Sequence, residues 1–323
     1  MNILVFGKDG QLGKAFQSVC ATQKLHELHR IDFVGRAQCD LSNADAVLNL
    51  LQETQPQLII NAAAYTAVDQ AEQEIDLAYA VNANAPAIMA RYAAKEGATL
   101  LHYSADYVFD GTKATPYLES DVRNPLGIYG KSKAAGEAGI EDAFKQDPAA
   151  EGQFAILRTS WVYGNGGNFI LTILRLAKER ESLKVIANQY GVPTNTIWLA
   201  HISLAFVLNE NHQTRSLPSG VYHAIPPGET TWHALASYAV QLAIDAGADL
   251  KLRPEQIAAI PASEYPLPAP RPMNSRMARK ALDEALKQFL KNTSDVTKLQ
   301  QWQQPWHEQV AHYVQDLVLH KHL

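Results

Sequence analysis

The sequence predicts an α/β fold: a doubly wound parallel sheet with helices on both faces and a smaller second part toward the C-terminus. Three observations carry this. Short, nearly all-apolar runs alternate with longer helix-patterned stretches through the first half of the chain, and strands without polar alternation are strands covered on both faces. The first of these runs leads straight into a glycine-punctuated turn, Gly7-Lys-Asp-Gly10-Gln-Leu-Gly13. Beyond about residue 164 the alternation gives way to a Gly- and Pro-marked texture.

The elements follow in order. Asn2 to Phe6 is the first strand, and the segment carrying Leu12, Ala15 and Phe16 the first helix. Further strands are expected around Ile31 to Val34, at Leu58 to Ile60, at Thr99 to Tyr103 and at Phe154 to Arg158. Gln70 to Glu96 has the Ala-rich amphipathic content of one long helix, with Pro86 marking a kink or break. Gly164-Asn-Gly-Gly167 reads as a hinge, Phe169 to Glu181 as a helix, and Pro266, Pro268, Pro270 and Pro272 as an irregular passage. No long period repeats, which removes solenoids and propellers.

Composition narrows the function. With 323 residues, 47% hydrophobic and 19% charged, the chain is an ordinary globular one with room for one large domain or two closely packed ones. The net charge of -5 comes without any concentrated run of Lys or Arg, so a nucleic-acid partner is not expected and a small molecule is. Cys20 and Cys39 are the only cysteines, too few for a disulfide framework and not spaced as a metal motif. The chain opens into Ile3-Leu4-Val5-Phe6 without a basic leader, and it lacks an apolar run long enough to span a membrane. A soluble, cytoplasmic protein is the expectation.

The glycine turn has the chemistry of a phosphate cradle. Gly7 permits the tight turn, Gly10 lets backbone approach a pyrophosphate, and Gly13 lets the helix pack on the strand. Gln11 and Leu12 stand between them at the helix N-terminus, where phosphates bind. The spacing is Gly-x-x-Gly-x-x-Gly, and a purely structural turn is the alternative. At the end of the second strand Asp32 comes early and Arg36 late. An arginine there pairs with a 2′-phosphate or simply sits solvated on the surface. Asp40 and Leu41 are placed to meet an adenine, and the small residues Ala62, Ala63 and Ala64, followed by Tyr65, come where backbone runs close to a cofactor or packs helix on sheet. NADPH or NADH is the expected cofactor. A Rossmann-type NAD(P)-binding domain over residues 1–164 and 193–228, with a substrate domain over 165–192 and 229–323, is the expected division.

Tyr129 and Lys133 supply the reactive pair. Four residues apart on a helix they share a face, so the ammonium can favour the ionised phenol. A tyrosine that exchanges a proton near neutral pH is what carbonyl reduction needs. Such pairs also arise by chance, and it is their order after the glycine turn that gives this one weight.

Longer segments then carry a resemblance. Gly7-Lys-Asp-Gly10-Gln-Leu-Gly13, Asn61-Ala-Ala-Ala-Tyr-Thr-Ala-Val-Asp69, Ser104-Ala-Asp-Tyr-Val-Phe-Asp-Gly111 and Asn124-Pro-Leu-Gly-Ile-Tyr-Gly-Lys-Ser-Lys133 occur in order. Arg158-Thr-Ser-Trp-Val-Tyr163, Gln189-Tyr-Gly-Val-Pro-Thr194, Thr230-Thr-Trp232 and Arg271-Pro-Met-Asn-Ser275 follow. With these the chain resembles the extended short-chain dehydrogenase/reductase family, in its dTDP-4-dehydrorhamnose-reducing branch. The resemblance implies NAD(P)H-dependent reduction of the C4 ketone of dTDP-4-dehydro-L-rhamnose to dTDP-L-rhamnose, a step of cell-surface polysaccharide biosynthesis. Tyr129 would be the proton donor and Lys133 the ribose-holding, tuning cation.

The family pattern reads Ser-Thr-Asp-Tyr-Val-Phe, and here Ala105 replaces the threonine. Ser104 is the obvious substitute, although strand neighbours point to opposite faces. The same resemblance implies substrate contacts from Ala105, Asp106 and Tyr107, from Trp161 against the sugar and from Arg271 at the diphosphate, with Asn168, Phe169, Thr231 and Asn274 as further candidates. Apolar packing for Trp161 and a surface ion pair for Arg271 stay open. His307, His312, His320 and His322 read as a solvated helix face without metal. The nucleotide sugar is the expected partner, and a homodimer is compatible with the sequence. Two other functions remain: a non-catalytic cofactor-binding regulatory subunit resembling that of methionine adenosyltransferase, or another nucleotide-sugar-modifying member of the family.

Overall fold

The apolar runs become strands because they offer side chains to a core on either face. In the computed structural model, which describes residues 1–146, 150–289 and 301–320, the first five strands are β1 (Asn2–Phe6), β2 (Arg30–Val34), β3 (Leu58–Asn61), β4 (Thr99–Ala105) and β5 (Gln153–Thr159). Between them lie α1 (Gln11–Thr22), α2 (Ala44–Thr54), α3 (Val68–Ala71), α4 (Ile75–Tyr79), α5 (Ala85–Glu96) and α6 (Ile128–Lys145). Two-residue β6 (Val162–Tyr163), α7 (Phe169–Glu179), β7 (Leu183–Ile186), β8 (Tyr190–Gly191), β9 (Thr194–Asn195) and α8 (Thr196–Val207) come next. β10 (Gly220–His223), β11 (Thr230–Thr231), α9 (Trp232–Asp245), β12 (Ile257–Ile260), α10 (Lys280–Phe289) and a last helix, Trp306–Leu319, follow. His322 lies outside the described residues.

The main sheet has six strands in the order β10-β5-β4-β3-β1-β2, and every pairing in it is parallel. Alternate residues divide between two cores. Ile3, Val5, Leu101 and Leu157 face one cluster with Phe16 of α1, Leu199 of α8 and Leu282 of α10. Leu4, Ile59, Leu100 and Ile156 face the other, with Val47 of α2, Met89 of α5 and Ile140 of α6. Each such side chain, fully buried, contributes about 1.5–3 kcal/mol. Strand order reverses between β1 and β3, and a crevice opens there beyond the strands' C-terminal ends.

A third cluster joins Leu174 of α7, Ala239 of α9, Val314 of the last helix and Val185 of β7. It gives the later part of the chain a core of its own beside the sheet. β10 returns from that region to pair with β5, matching Gly220 to Ala155 and His223 to Arg158.

Two elements differ from expectation. The stretch over 70–96 is not one regular helix: α3 stands apart, and α4 runs through a π-helical turn at Ala80–Asn84 into α5, so the irregularity falls just before Pro86, where a kink or break is expected. Pro86, in the first turn of α5, has no N–H to continue the preceding ladder. Asn82 meanwhile turns its amide inward, to the Tyr65 backbone and to Ser132 Oγ at 3.0 Å. Helix α7 stops at Glu179, because Arg180 takes an extended conformation. Cys20 and Cys39 are both buried and free. Among the described residues no helix is long and apolar enough to cross a membrane.

Candidate active site

The glycine turn sits at the mouth of the crevice. Gly7 adopts φ +89°, and a Cβ there would fall 2.8 Å from Ala63 N, so the left-handed conformation and the close approach both require glycine. At Gly13 a Cβ would lie 2.0 Å from Gly7 O. Helix α1 follows its N-cap Gly10 with no side-chain cap and no acidic residue in its first turn. Its leading N–H groups are thus left facing the cleft, the arrangement that accepts a pyrophosphate.

A cleft of ≈ 750 Å³ runs from this turn to the ends of β4 and β5, within the range of small-molecule sites. It gathers most of the sequence-predicted cofactor residues: Gly7, Gly10, Gln11, Leu12, Arg36, Asp40, Leu41, Ala62, Ala63, Ala64 and Tyr65, together with Ser104, Tyr129 and Lys133. Gly13 does not line it and acts from behind, through its packing on Gly7. Arg36 Nε lies 3.4 Å from Asp40 Oδ2. The Asp40 carboxylate accepts from Ser42 N at 2.9 Å, and hydrogen bonds from Ser42, backbone first, hold it below the usual range, with Arg36 adding to them. The turn, the small-residue floor and the uncapped helix fit a dinucleotide.

Helix α6 carries the reactive pair. Its first N–H is capped from afar, Ile128 N donating to Glu72 Oε1 at 2.8 Å, which fixes where Tyr129 emerges. Tyr129 is half-buried and meets the Tyr107 ring edge to face, with centroids 5.2 Å apart. Burial, then the charges of Asp106 and Tyr107, raise its phenol above the ordinary value. Lys133 is buried, and burial pushes its ammonium down to about 8 against the opposing pull of Glu137.

The ammonium is set differently from the direct Tyr129–Lys133 contact expected of the spacing. Lys133 Nζ donates to Tyr103 O at 2.5 Å and lies 3.4 Å from His102 Nε2. β3 ends at Asn61, paired with His102, so the Tyr103 carbonyl has no partner strand on that side and takes the ammonium instead. His102 in turn meets Asn61 Nδ2 at 3.0 Å. Burial and the nearby Lys133 charge keep its imidazole well below the ordinary pKa.

Beneath α6, Arg158 and Glu137 form a two-pronged ion pair, Nε–Oε1 2.9 Å and Nη2–Oε2 2.6 Å. Burial alone would raise the Glu137 carboxyl, but Arg158, then Ser104 and Arg123, outweigh it and hold the group low. Ser104 Oγ is thus near Glu137, although it completes no well-aligned hydrogen bond.

The expected substrate residues fall outside the cleft lining except Ser104. Asp106 is buried at the start of the turn after β4, with Oδ2 unpaired. Burial pushes its carboxyl up to about 7, against a hydrogen bond from Ser275. Arg271 grips Asp69 in two-pronged fashion, at 2.6 and 2.8 Å. Trp161, at φ +46°, stacks on Trp232 with centroids 3.6 Å apart, so one ring face is already covered. Asn168 caps α7 through Leu171 N, Thr231 caps α9 through Ala234 N, and Asn274 holds the Lys113 and Thr115 carbonyls. Phe169 packs against Trp232. The polar groups of those three residues are engaged within the fold. Among the described residues no cluster of potential metal ligands forms.

Sequence reasoning did not single out Asp9, Gly35, Cys39, Thr66, Thr159 or Val162, all of which line the cleft. Thr159 and Val162 lie inside the quoted segment Arg158 to Tyr163, but only strand pairing brings them there. Gly35 and Cys39 carried a signal: they flank Arg36 and Asp40.

A phosphate-binding turn at the switch point of a parallel sheet, with a buried lysine and a protonated tyrosine on the neighbouring helix, defines a nicotinamide-dependent oxidoreductase of the short-chain dehydrogenase/reductase class. The family model described as RmlD substrate binding domain matches residues 1–317, and the chain belongs to that family. The dTDP-4-dehydrorhamnose reductase of Salmonella typhimurium is 42% identical over 282 residues, covering 86% of this chain and 89% of that protein. A solved dTDP-4-dehydrorhamnose reductase from Clostridium acetobutylicum has a TM-score of 0.81 at 30% identity, covering 99% of this chain and 100% of that one. Another, from Bacillus anthracis in complex with NADP, has a TM-score of 0.72 at 31% identity, covering 90% and 99%.

Proposed function

We propose that the chain reduces the C4 ketone of dTDP-4-dehydro-L-rhamnose to dTDP-L-rhamnose with NADPH or NADH. The observation that carries this reading is the meeting of Tyr129 and Lys133 with the glycine turn in one cleft. A reduced nicotinamide, when bound, would supply the hydride for the ketone carbon. Tyr129 gives its proton to the carbonyl oxygen as charge develops there, and solvent reprotonates it afterwards. Burial beside Asp106 and Tyr107 favours the protonated phenol, so the donor is loaded before each turnover. Lys133 would hold the nicotinamide ribose and stabilise the tyrosinate that forms. Because the donor's charge appears only as the reaction proceeds, this stabilisation acts on the transition state.

In this reading Arg36 would donate to the 2′-phosphate of NADPH. Asp106 and Tyr107 border the sugar, Trp161 closes over it, and Arg271, shared with Asp69, meets the diphosphate. Residues 1–164 and 193–228 hold the cofactor, and 165–192 and 229–323 hold the sugar nucleotide. Two free cysteines suit a reducing, cytoplasmic setting, and a two-fold homodimer is the assembly to look for by sedimentation.

The test is cofactor oxidation with freshly generated dTDP-4-dehydrorhamnose, followed at the nicotinamide absorbance, with the product weighed by mass spectrometry. A product two hydrogens heavier supports the reading. Bound cofactor that stays reduced, with NADPH and NADH alike, sinks it.

A further inference from the structure

We propose that Thr159 donates a hydrogen bond to the reacting carbonyl oxygen, working beside Tyr129 at a place where β4 carries only the methyl group of Ala105. This rests on the reductase reading above. In the parallel pairing of β4 with β5, Ala105 is in register with Thr159, and Ser104 with Arg158. Registered neighbours on adjacent strands project to the same face, and the strands are about 4.8 Å apart. Thr159 therefore carries its hydroxyl beside the methyl group of Ala105.

Three observations single it out. Thr159 lines the cleft with Tyr129 and Lys133. It is 7% exposed. Its Oγ1 is buried without a hydrogen-bond partner in the protein. A buried hydroxyl left unpaired is unfavourable, whereas a methyl group of the same shape is not, so a threonine here gains nothing for the fold that a valine would lack. A hydroxyl kept in such a position has its partner in what the cleft binds.

Ser104 is the rival, since it too is buried, unpaired and in the cleft lining. Its surroundings separate the two. Arg158 turns to Glu137 under α6, and Ser104 lies on that side, close enough to Glu137 to help hold its carboxylate low. Ala105 and Thr159 share the opposite parity, and the Thr159 hydroxyl has no such carboxylate to turn to, so it is left to the cleft that it lines with Tyr129. In the step itself Tyr129 transfers its proton to the carbonyl oxygen. Thr159 keeps its own proton and donates a hydrogen bond to that same oxygen, so no further atom changes hands.

The test compares turnover of dTDP-4-dehydrorhamnose with NADPH by the wild type, Thr159→Val, Thr159→Ser, Ser104→Ala and Thr159→Val combined with Ala105→Thr. NADPH affinity and the unfolding temperature are measured on each. Thr159→Val is expected to lose about a hundredfold in kcat, the usual loss for one such donor, with NADPH affinity unchanged and an unfolding temperature equal or higher. Thr159→Ser should keep most of the rate, Ser104→Ala should lose less than Thr159→Val, and Ala105→Thr should restore at least about tenfold of the loss from the neighbouring strand. A fully active Thr159→Val overturns the proposal, as does a loss shared equally by Thr159→Ser or one that tracks weakened NADPH binding. An inactive wild type overturns the reductase reading and this role together, whereas an active wild type with an active valine variant removes this role alone.

Discussion

Lys133 Nζ donates to the carbonyl oxygen of Tyr103 at 2.5 Å, so the cation of α6 is anchored at the end of β4, one helical turn from Tyr129. That anchoring sets a pH dependence. Burial brings the ammonium down to about 8, so it is charged below that pH and neutral above it. The kcat/KM for the sugar, which reports free-enzyme groups, should fall as pH rises through about 8, and Lys133→Arg, charged throughout, should lack that limb whatever its absolute rate. A flat wild-type profile from pH 7 to 10 contradicts the assignment. The stability sign is opposite: the unfolded chain binds the extra proton between about 8 and 10.5, so this group's contribution to stability rises with pH across that window.

Gly13 is predicted to be intolerant of any side chain. A Cβ 2.0 Å from Gly7 O forces α1 off the turn. Gly13→Ala should weaken NADPH binding by at least about tenfold, since the helix N-terminus no longer meets the phosphates. Isothermal titration gives the value, and an unchanged Kd refutes the role.

Glu137→Gln removes the carboxylate that neutralises Arg158 and touches Arg123 at 3.2 Å. Breaking a buried pair by removing one partner costs about 3–5 kcal/mol. Urea unfolding should show a loss of that size, and a change below about 1 kcal/mol would mean that the pair is dispensable.

Arg271→Ala should raise the KM for the dTDP-sugar about tenfold, the usual scale for a charge-assisted contact, while leaving NADPH affinity unchanged. A variant whose KM is unaltered would assign Arg271 wholly to Asp69, as a structural clasp on the Pro-rich segment.

Legibility in the sequence followed how local each feature is. β1, β3 and β4 were readable because an unbroken apolar run needs no knowledge of its neighbours, and the glycine turn because its steric demands arise within seven residues. β10 was not, since Gly220-Val-Tyr-His becomes a strand only by lying against β5. The π-helical turn between α4 and α5 depends in part on Asn82 finding Tyr65 and Ser132. Tyr129 and Lys133 were found by spacing, but the direction of the ammonium depends on where β3 stops. The stacking of Trp161 on Trp232 and the register of Thr159 with Ala105 likewise exist only in the folded sheet.

The central claim is that Tyr129 delivers the proton in ketone reduction. The most direct measurement is NADPH oxidation with dTDP-4-dehydrorhamnose by the wild type and Tyr129→Phe side by side, with NADPH binding checked by fluorescence. The wild type should be active, and the phenylalanine variant should bind NADPH normally but turn over at least about a hundredfold more slowly, as loss of a general acid requires. Equal rates for the two proteins would contradict it.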